Sequence, residues 1–142
     1  MKVRDVMTKE TRSVSPQTPI VEAAGLMRLH DIGVLPVLDA NRIVGMLTDR
    51  DIVLQVVADG DDARATPVSE AMSMGSISVL DDQSVEEAAH LMEKYQVRRL
   101  PVLDRGAKLV GILSLGDIAV DANASLSGKA LKEVSEPAAP LL

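Results

Sequence analysis

Two short stretches of this 142-residue chain hold residue types that bind or react: Thr48-Asp49-Arg50-Asp51 and Ser114-Leu115-Gly116-Asp117. In each, a hydroxyl side chain closes an apolar run and a carboxylate follows three residues later. That spacing has two compatible readings. A hydroxyl and a carboxylate three apart form a capping box, each satisfying a backbone N–H that a helix start leaves without a partner. The same helix start can face a phosphate with its free N–H groups and hydroxyl, while the carboxylate accepts hydrogen bonds from both hydroxyls of a ribose. Thr48 can do both.

Other chemistries find no footing. There is no Gly-x-Ser-x-Gly, no phosphate-loop lysine motif and no His/Cys ligand set, so catalysis is not expected. Cysteine is absent, which removes disulfides, thiol nucleophiles and thiolate metal sites. His30 and His90 lie far apart and read as helix-surface residues. Asp61-Asp62 and Asp81-Asp82 read as solvated loop charges, leaving no metal site and no cofactor. The net charge is −6 and the single aromatic residue is Tyr95. With no basic run and almost nothing to stack on bases, nucleic acid is not an expected partner. No apolar stretch approaches the roughly 20 residues of a membrane-spanning helix, and Met1-Lys2-Val3-Arg4-Asp5 does not open a signal peptide. The default location is therefore the cytoplasm, without a membrane partner. A core must be assembled from Val, Leu, Ile, Ala and the seven Met residues, Met serving as adaptable filling.

The chain repeats itself at an offset of roughly 65 residues. Val3-Arg4-Asp5-Val6-Met7-Thr8 falls on Val68-Ser69-Glu70-Ala71-Met72-Ser73, and Val14 falls on Val79. Ile20-Val21-Glu22-Ala23-Ala24-Gly25-Leu26-Met27 falls on Val85-Glu86-Glu87-Ala88-Ala89-His90-Leu91-Met92. Leu35-Pro36-Val37-Leu38-Asp39 recurs letter for letter as Leu100-Pro101-Val102-Leu103-Asp104, and Val44-Gly45-Met46-Leu47-Thr48 matches Val110-Gly111-Ile112-Leu113-Ser114.

Each half reads as a short leading helix (near 3–7 and 67–72) and a brief strand (12–14 and 77–80). A helix follows near 19–30 and 84–95, whose apolar residues recur at i, i+3, i+4 and i+7. Two strands come next, at 33–38 and 42–48, then 98–103 and 108–114, with Val/Leu/Ile runs suited to burial on both faces. A last helix starts near Thr48 or Ser114. The fold class is therefore α/β: two tandem βαββα repeats, each with a small three-stranded sheet and helices, packed about a pseudo-twofold axis. The divisions are 1–58 for the first repeat, 59–65 for a polar linker, 66–125 for the second repeat and 126–142 for a loosely held tail, with a weak helical stretch at 129–134.

Taken together, the Val-Met-Thr and Ala-Met-Ser openings, the two Leu-Pro-Val-Leu-Asp strands and Gly-x-x-Thr/Ser-x-x-Asp-Ile resemble a pair of CBS domains, also called a Bateman module. The likeness covers the chain to about residue 125 and extends to small bacterial stand-alone CBS proteins of the hypoxic-response type. It implies two clefts between the repeats that bind adenine ligands, with Asp51 and Asp117 on ribose and Thr48 and Ser114 as their hydroxyl partners. It also implies that each cleft borrows residues from the other repeat. Val97, Arg98 and Arg99 would then serve Asp51. Ile32, Gly33 and Val34, near the opening segment from Thr11 to Val14, would serve Asp117. On that pairing Arg50, Arg98 and Arg99 favour a charged nucleotide at Asp51. The Asp117 cleft is expected to be empty, weaker or suited to a less charged adenosyl compound. Arg98 and Arg99 also fit the plainer role of solvated residues at a strand start.

The function implied is a sensor, not an enzyme: AMP, ADP, ATP, NAD or S-adenosylmethionine enters a cleft and shifts the population of conformations or dimers. The partners implied are a second copy in a homodimer and a separate effector protein. The alternative is a structural or protein-interaction module that does not respond to ligand.

Overall fold

The computed structural model describes residues 1–10, 12–75 and 77–121. In chain order the elements are α1 (Val3–Val6), α2 (Ile20–His30), β1 (Val34–Asp39), β2 (Arg42–Thr48), α3 (Asp49–Ile52), β3 (Ser73–Met74), β4 (Val79–Leu80), α4 (Val85–Tyr95), β5 (Arg99–Leu103), β6 (Leu109–Ser114) and α5 (Leu115–Asp121). They form two compact units. One is continuous, Arg12–Ser76; the other is discontinuous, Met1–Thr11 together with Ile77–Leu142. The opening segment of the first sequence repeat thus packs with the body of the second.

In the continuous unit, α2 follows Pro19 at its N-cap, where a missing N–H costs nothing because a helix start has no acceptor for it. Ile20, Ala23 and Met27 are buried, and the helix stops at Asp31 in the left-handed region (φ 53°). β1 and β2 pair antiparallel with a bulge between Val37 and Leu38, and β3 adds to β2 with Gly45 opposite Met74. Val14, Ile20, Ala23, Met27, Leu35, Val37, Leu47, Val56, Val68 and Ala71 close the core. The brief strand expected at 12–14 is reduced to a parallel bridge between Val14 and Val37. The helix expected after Thr48 widens past α3 into a π-helical stretch, Val53–Val57.

The β1–β2 turn places both Ala40 (φ 50°) and Asn41 (φ 64°) in the left-handed region, the geometry of a type I′ hairpin. Asn tolerates this conformation, but alanine pays for its Cβ. Ala40→Gly is therefore expected to raise stability by about 0.5–1 kcal/mol, read from the urea midpoint; a lower midpoint would contradict this turn geometry.

The discontinuous unit repeats the design with a different edge. β4 runs parallel to β5, and β5 pairs antiparallel with β6, again with a bulge, between Val102 and Leu103. Ser84 caps α4 by accepting the N–H of Glu87 at 3.0 Å, and Val85, Ala88, Ala89 and Met92 face the core. The opening segment is tied down by backbone bonds. Val3 N–H donates to Gln83 O (2.8 Å), Arg4 N–H to Asp81 O (2.9 Å), and Thr8 and Ile112 exchange both of theirs at 2.9 Å. Val3 and Val6 are buried in this core beside Leu100, Val102, Leu113 and Ile118. At the surface, Arg105 holds Asp82 with two hydrogen bonds, 2.7 and 3.1 Å. That bond keeps the Asp82 carboxyl below its ordinary range.

Gly45 and Gly111 occupy the same place in β2 and β6, and both admit a crossing backbone. A Cβ on Gly111 would lie 2.6 Å from the Thr8 carbonyl oxygen and 2.8 Å from Met7 Sδ; one on Gly45 would meet the Ser73 carbonyl oxygen. Among the described residues no helix is long and apolar enough to cross a membrane. Thr11, the expected tail 126–142 and its helical stretch at 129–134 lie outside the described residues.

Candidate functional site

Both hydroxyl–carboxylate stretches adopt the capping-box form at the end of the second strand of the hairpin in their unit, β2 or β6. Thr48 accepts the Asp51 N–H on Oγ1 at 3.0 Å, and Asp51 Oδ2 accepts the Thr48 N–H at 2.9 Å. Ser114 and Asp117 repeat this at 3.0 and 2.9 Å. One carboxylate oxygen of each Asp is thus spent inside the chain. The other differs between the units. Asp117 Oδ1 accepts the Thr8 hydroxyl in a long contact of 3.4 Å, while among the described residues Asp51 Oδ1 has no protein donor. Both carboxylates are half-buried, reachable by a ligand hydroxyl yet held in one orientation.

Hairpin pairing decides which residues stand beside each Asp. Val34 lies opposite Thr48 and Gly33 O accepts the Asp49 N–H at 3.0 Å, so Ile32, Gly33 and Val34 flank the Thr48–Asp51 turn. Likewise Arg99 lies opposite Ser114 and Arg98 O accepts the Leu115 N–H at 2.9 Å, so Val97, Arg98 and Arg99 flank the Ser114–Asp117 turn. The partners expected from the other repeat, Val97–Arg99 for Asp51 and Ile32–Val34 for Asp117, belong to the other unit in each case. Val14 is buried alongside β1, its N–H bonded to Pro36 O at 3.1 Å and its carbonyl accepting the Leu38 N–H at 2.8 Å. Ile32 and Val97 are half-buried against their cores. Arg50, Arg98 and Arg99 are exposed.

Two nearby residues escaped the sequence reading. Thr8 reaches Asp117 because β6 pairs with the opening segment, and its alignment with Ser73 was the one available hint. Asp49 lies over Gly33, with Oδ2 3.0 Å from where a Cβ would stand, and its Oδ1 accepts the Arg50 N–H at 2.8 Å. It sat inside the motif, but only the strand register shows what it faces. Among the described residues no three of His, Cys, Asp and Glu gather as a metal-binding group.

Comparison with known proteins follows the same lines. The CBS domain family model matches twice, over residues 3–58 and 68–121. The chain is 46% identical over 134 residues to the CBS domain-containing protein YhcV of Bacillus subtilis, covering 94% of each. It resembles the crystal structure of Hypoxic Response Protein I, which holds two coordinated zinc ions, with a TM-score of 0.76 and 38% identity over 87% of this chain and all of that one. The CBS domain pair of protein MJ0100, in complex with 5′-methylthioadenosine and S-adenosyl-L-methionine, matches with a TM-score of 0.73 and 29% identity over 84% of this chain and 97% of that one. The repeat, its two three-stranded sheets and these likenesses agree: the chain belongs to the CBS-domain family and carries the domain twice.

Proposed function

We propose that this CBS pair is a non-catalytic regulatory module that binds adenine nucleosides or nucleotides through Asp51 and Asp117. The observation that carries the reading is the duplicated carboxylate. Each is fixed by its own capping bond on Oδ2 and half-buried, in an orientation that offers the second oxygen to a ribose. The adenosyl ligands on the MJ0100 pair support the same ligand class here. Thr48 and Ser114 orient the carboxylates, Ile32–Val34 and Val97–Arg99 flank them, and Val14 pairs along the edge of β1. Occupancy shifts the population of conformations, read out by a second copy or a separate effector protein.

The test is calorimetric titration with AMP, ATP, S-adenosylmethionine and GTP. A hydrogen bond to a charged group contributes about 1.5–3 kcal/mol, so Asp51→Asn is expected to weaken its own binding event by roughly 10- to 150-fold. Asparagine retains an acceptor for the Thr48 N–H, so the fold should stand, checked by circular dichroism. The double variant Asp51→Asn, Asp117→Asn should weaken both binding events by that factor. Undiminished binding by the folded double variant would remove both residues from the site. No binding by the unmodified protein would favour a ligand-independent interaction module.

A further inference from the structure

We propose that the continuous unit carries the contact surface for a second copy of this chain, with α2 of one copy antiparallel to α2 of the other about a twofold axis at Gly25. This names the face and register of the second copy in the proposed function. It needs no ligand, so it stands or falls apart from nucleotide binding.

Five large apolar side chains of this unit are left at its surface. Val21 and Leu29 on α2, with Val53, Leu54 and Val57 on the π-helical stretch, are between 46% and 75% exposed. Apolar residues scattered singly need no explanation, but these gather on two neighbouring helical segments. Ile20, Ala23 and Met27 of α2 and Val56 of the π-helical stretch are buried in one core, and the exposed residues of both turn away from it. Backbone bonds set the two segments side by side in opposite directions. Beyond the end of α2, Gly33 O accepts the Asp49 N–H at 3.0 Å. At the start of α2, Ala63 O accepts the Val21 N–H at 3.0 Å, just past Asp61, whose N–H donates to Val56 O at 3.0 Å.

The fold itself does not require this apolar stripe. α4 is the equivalent helix of the other unit, with Val85, Ala88 and Met92 buried as Ile20, Ala23 and Met27 are in α2. Where α2 has Val21, Gly25 and Leu29, α4 has Glu86, His90 and Lys94, all exposed. The interior does not explain Gly25 either. Nothing lies within 4 Å of where its Cβ would stand, although glycine inside a helix costs about 1 kcal/mol relative to alanine. The middle of the stripe is thus open and flanked by two apolar side chains.

The spacing points to a second copy as the occupant. Val21 and Leu29 stand at equal distances either side of Gly25, and so do Glu22 and Arg28. An antiparallel pair centred on Gly25 brings Val21 level with the partner's Leu29 and Glu22 level with the partner's Arg28. No charge then meets its own copy. Glu22 and Arg28 are exposed and hold no ion pair among the described residues. A twofold contact demands this self-complementarity, and opposite charges at its rim fix the register.

Sedimentation of the full chain without ligand, over a range of concentrations, is expected to give the mass of two chains. Val21→Glu and Leu29→Lys each put on α2 the residue that α4 carries, so the helix should fold, checked by circular dichroism. Each is expected to weaken the dimer at least about tenfold, because a charge is pressed against apolar surface. His90→Ala should leave it unchanged. The register is read by disulfides, since the chain has no cysteine of its own. Gly25→Cys is expected to oxidise to a covalent dimer. Val21→Cys alone should not, because its two copies stand about 12 Å apart along the helices, beyond the reach of a disulfide. Mixed with Leu29→Cys, it should.

A monomer at every concentration overturns the proposal and leaves the apolar face to another protein or to residues 122–142. A dimer that both charge variants leave intact moves the contact off α2 and overturns it too. A disulfide between Gly25→Cys and His90→Cys, formed in preference to Gly25→Cys with itself, sets α2 against α4 and overturns the pairing. Failure to bind any adenine ligand leaves this contact standing, and a monomer that binds AMP leaves the nucleoside reading standing.

Discussion

Truncating Leu113 to alanine is expected to destabilise the discontinuous unit by about 3–5 kcal/mol, the upper part of the range for such changes. Leu113 is fully buried, and its surroundings are Val3, Val6, Val79, Val85, Leu100, Val102, Leu115 and Ile118 with Ala88, Ala89 and Met92. Valine and isoleucine are stiff at χ1, and no ring is near to tilt into the gap. The sole aromatic, Tyr95, is 45% exposed. Of the long unbranched side chains, Met92 lies in this core and Met7 packs against it, and these alone could shift toward the gap. The vacated volume should therefore remain a cavity. Urea unfolding followed by circular dichroism measures the loss, with Leu113→Met as the volume-conserving control at under about 1.5 kcal/mol. A loss under 1 kcal/mol for the alanine variant would mean that this core collapses around the gap.

The second large effect comes from adding atoms. Gly111→Val should cost about 1–3 kcal/mol, because the obstacle is backbone. The added side chain enters space held by the Thr8 carbonyl and Met7, and relief requires breaking the two 2.9 Å bonds between Thr8 and Ile112. Hydrogen exchange at the Thr8 and Ile112 amides should accelerate along with the fall in stability. Gly25→Ala is the opposing control. It lies inside α2 with open space where its Cβ would go, so the same kind of substitution there should stabilise by about 0.5–1 kcal/mol. Equal signs for the two changes would show that local helix or strand preference, and not the crossing segment, sets the outcome.

Much of this architecture was legible in the residues. Ile20, Ala23 and Met27, and their counterparts Val85, Ala88 and Met92, marked two helices whose observed ends, Ile20–His30 and Val85–Tyr95, fall within a residue of the pattern. The three-residue gap between the strands read at 33–38 and 42–48 marked the first hairpin turn. The repeat supplied the family, because two complete motif sets in order are far more specific than either alone. What stayed hidden depends on pairing between distant segments. Nothing in the string of letters says that Thr8 bonds to Ile112, or that β3 belongs to β2, since two-residue strands carry no periodicity. The neighbours that Asp51 and Asp117 have within their own units were hidden for the same reason, since they follow from the hairpin register. The π-helical stretch at Val53–Val57 also had no signature, because its apolar residues fit an ordinary helix equally well.

The partition into a continuous and a discontinuous unit bears on how the chain is made. The continuous unit is fully synthesised by residue 76, whereas Val3 and Val6 find their core only after β5 and β6 emerge. At roughly 5–20 residues per second, the opening segment waits several seconds on the ribosome, an interval vastly longer than hairpin formation. Its two valines pass that time without their final neighbours, open to chaperones or to another nascent chain. A circular permutant with residues 1–10 moved behind residue 121 would end the wait by making both units contiguous. Truncation has unequal consequences too. A chain started at residue 12 keeps one unit whole and strips the other of α1, whereas a chain ending at residue 65 leaves both incomplete.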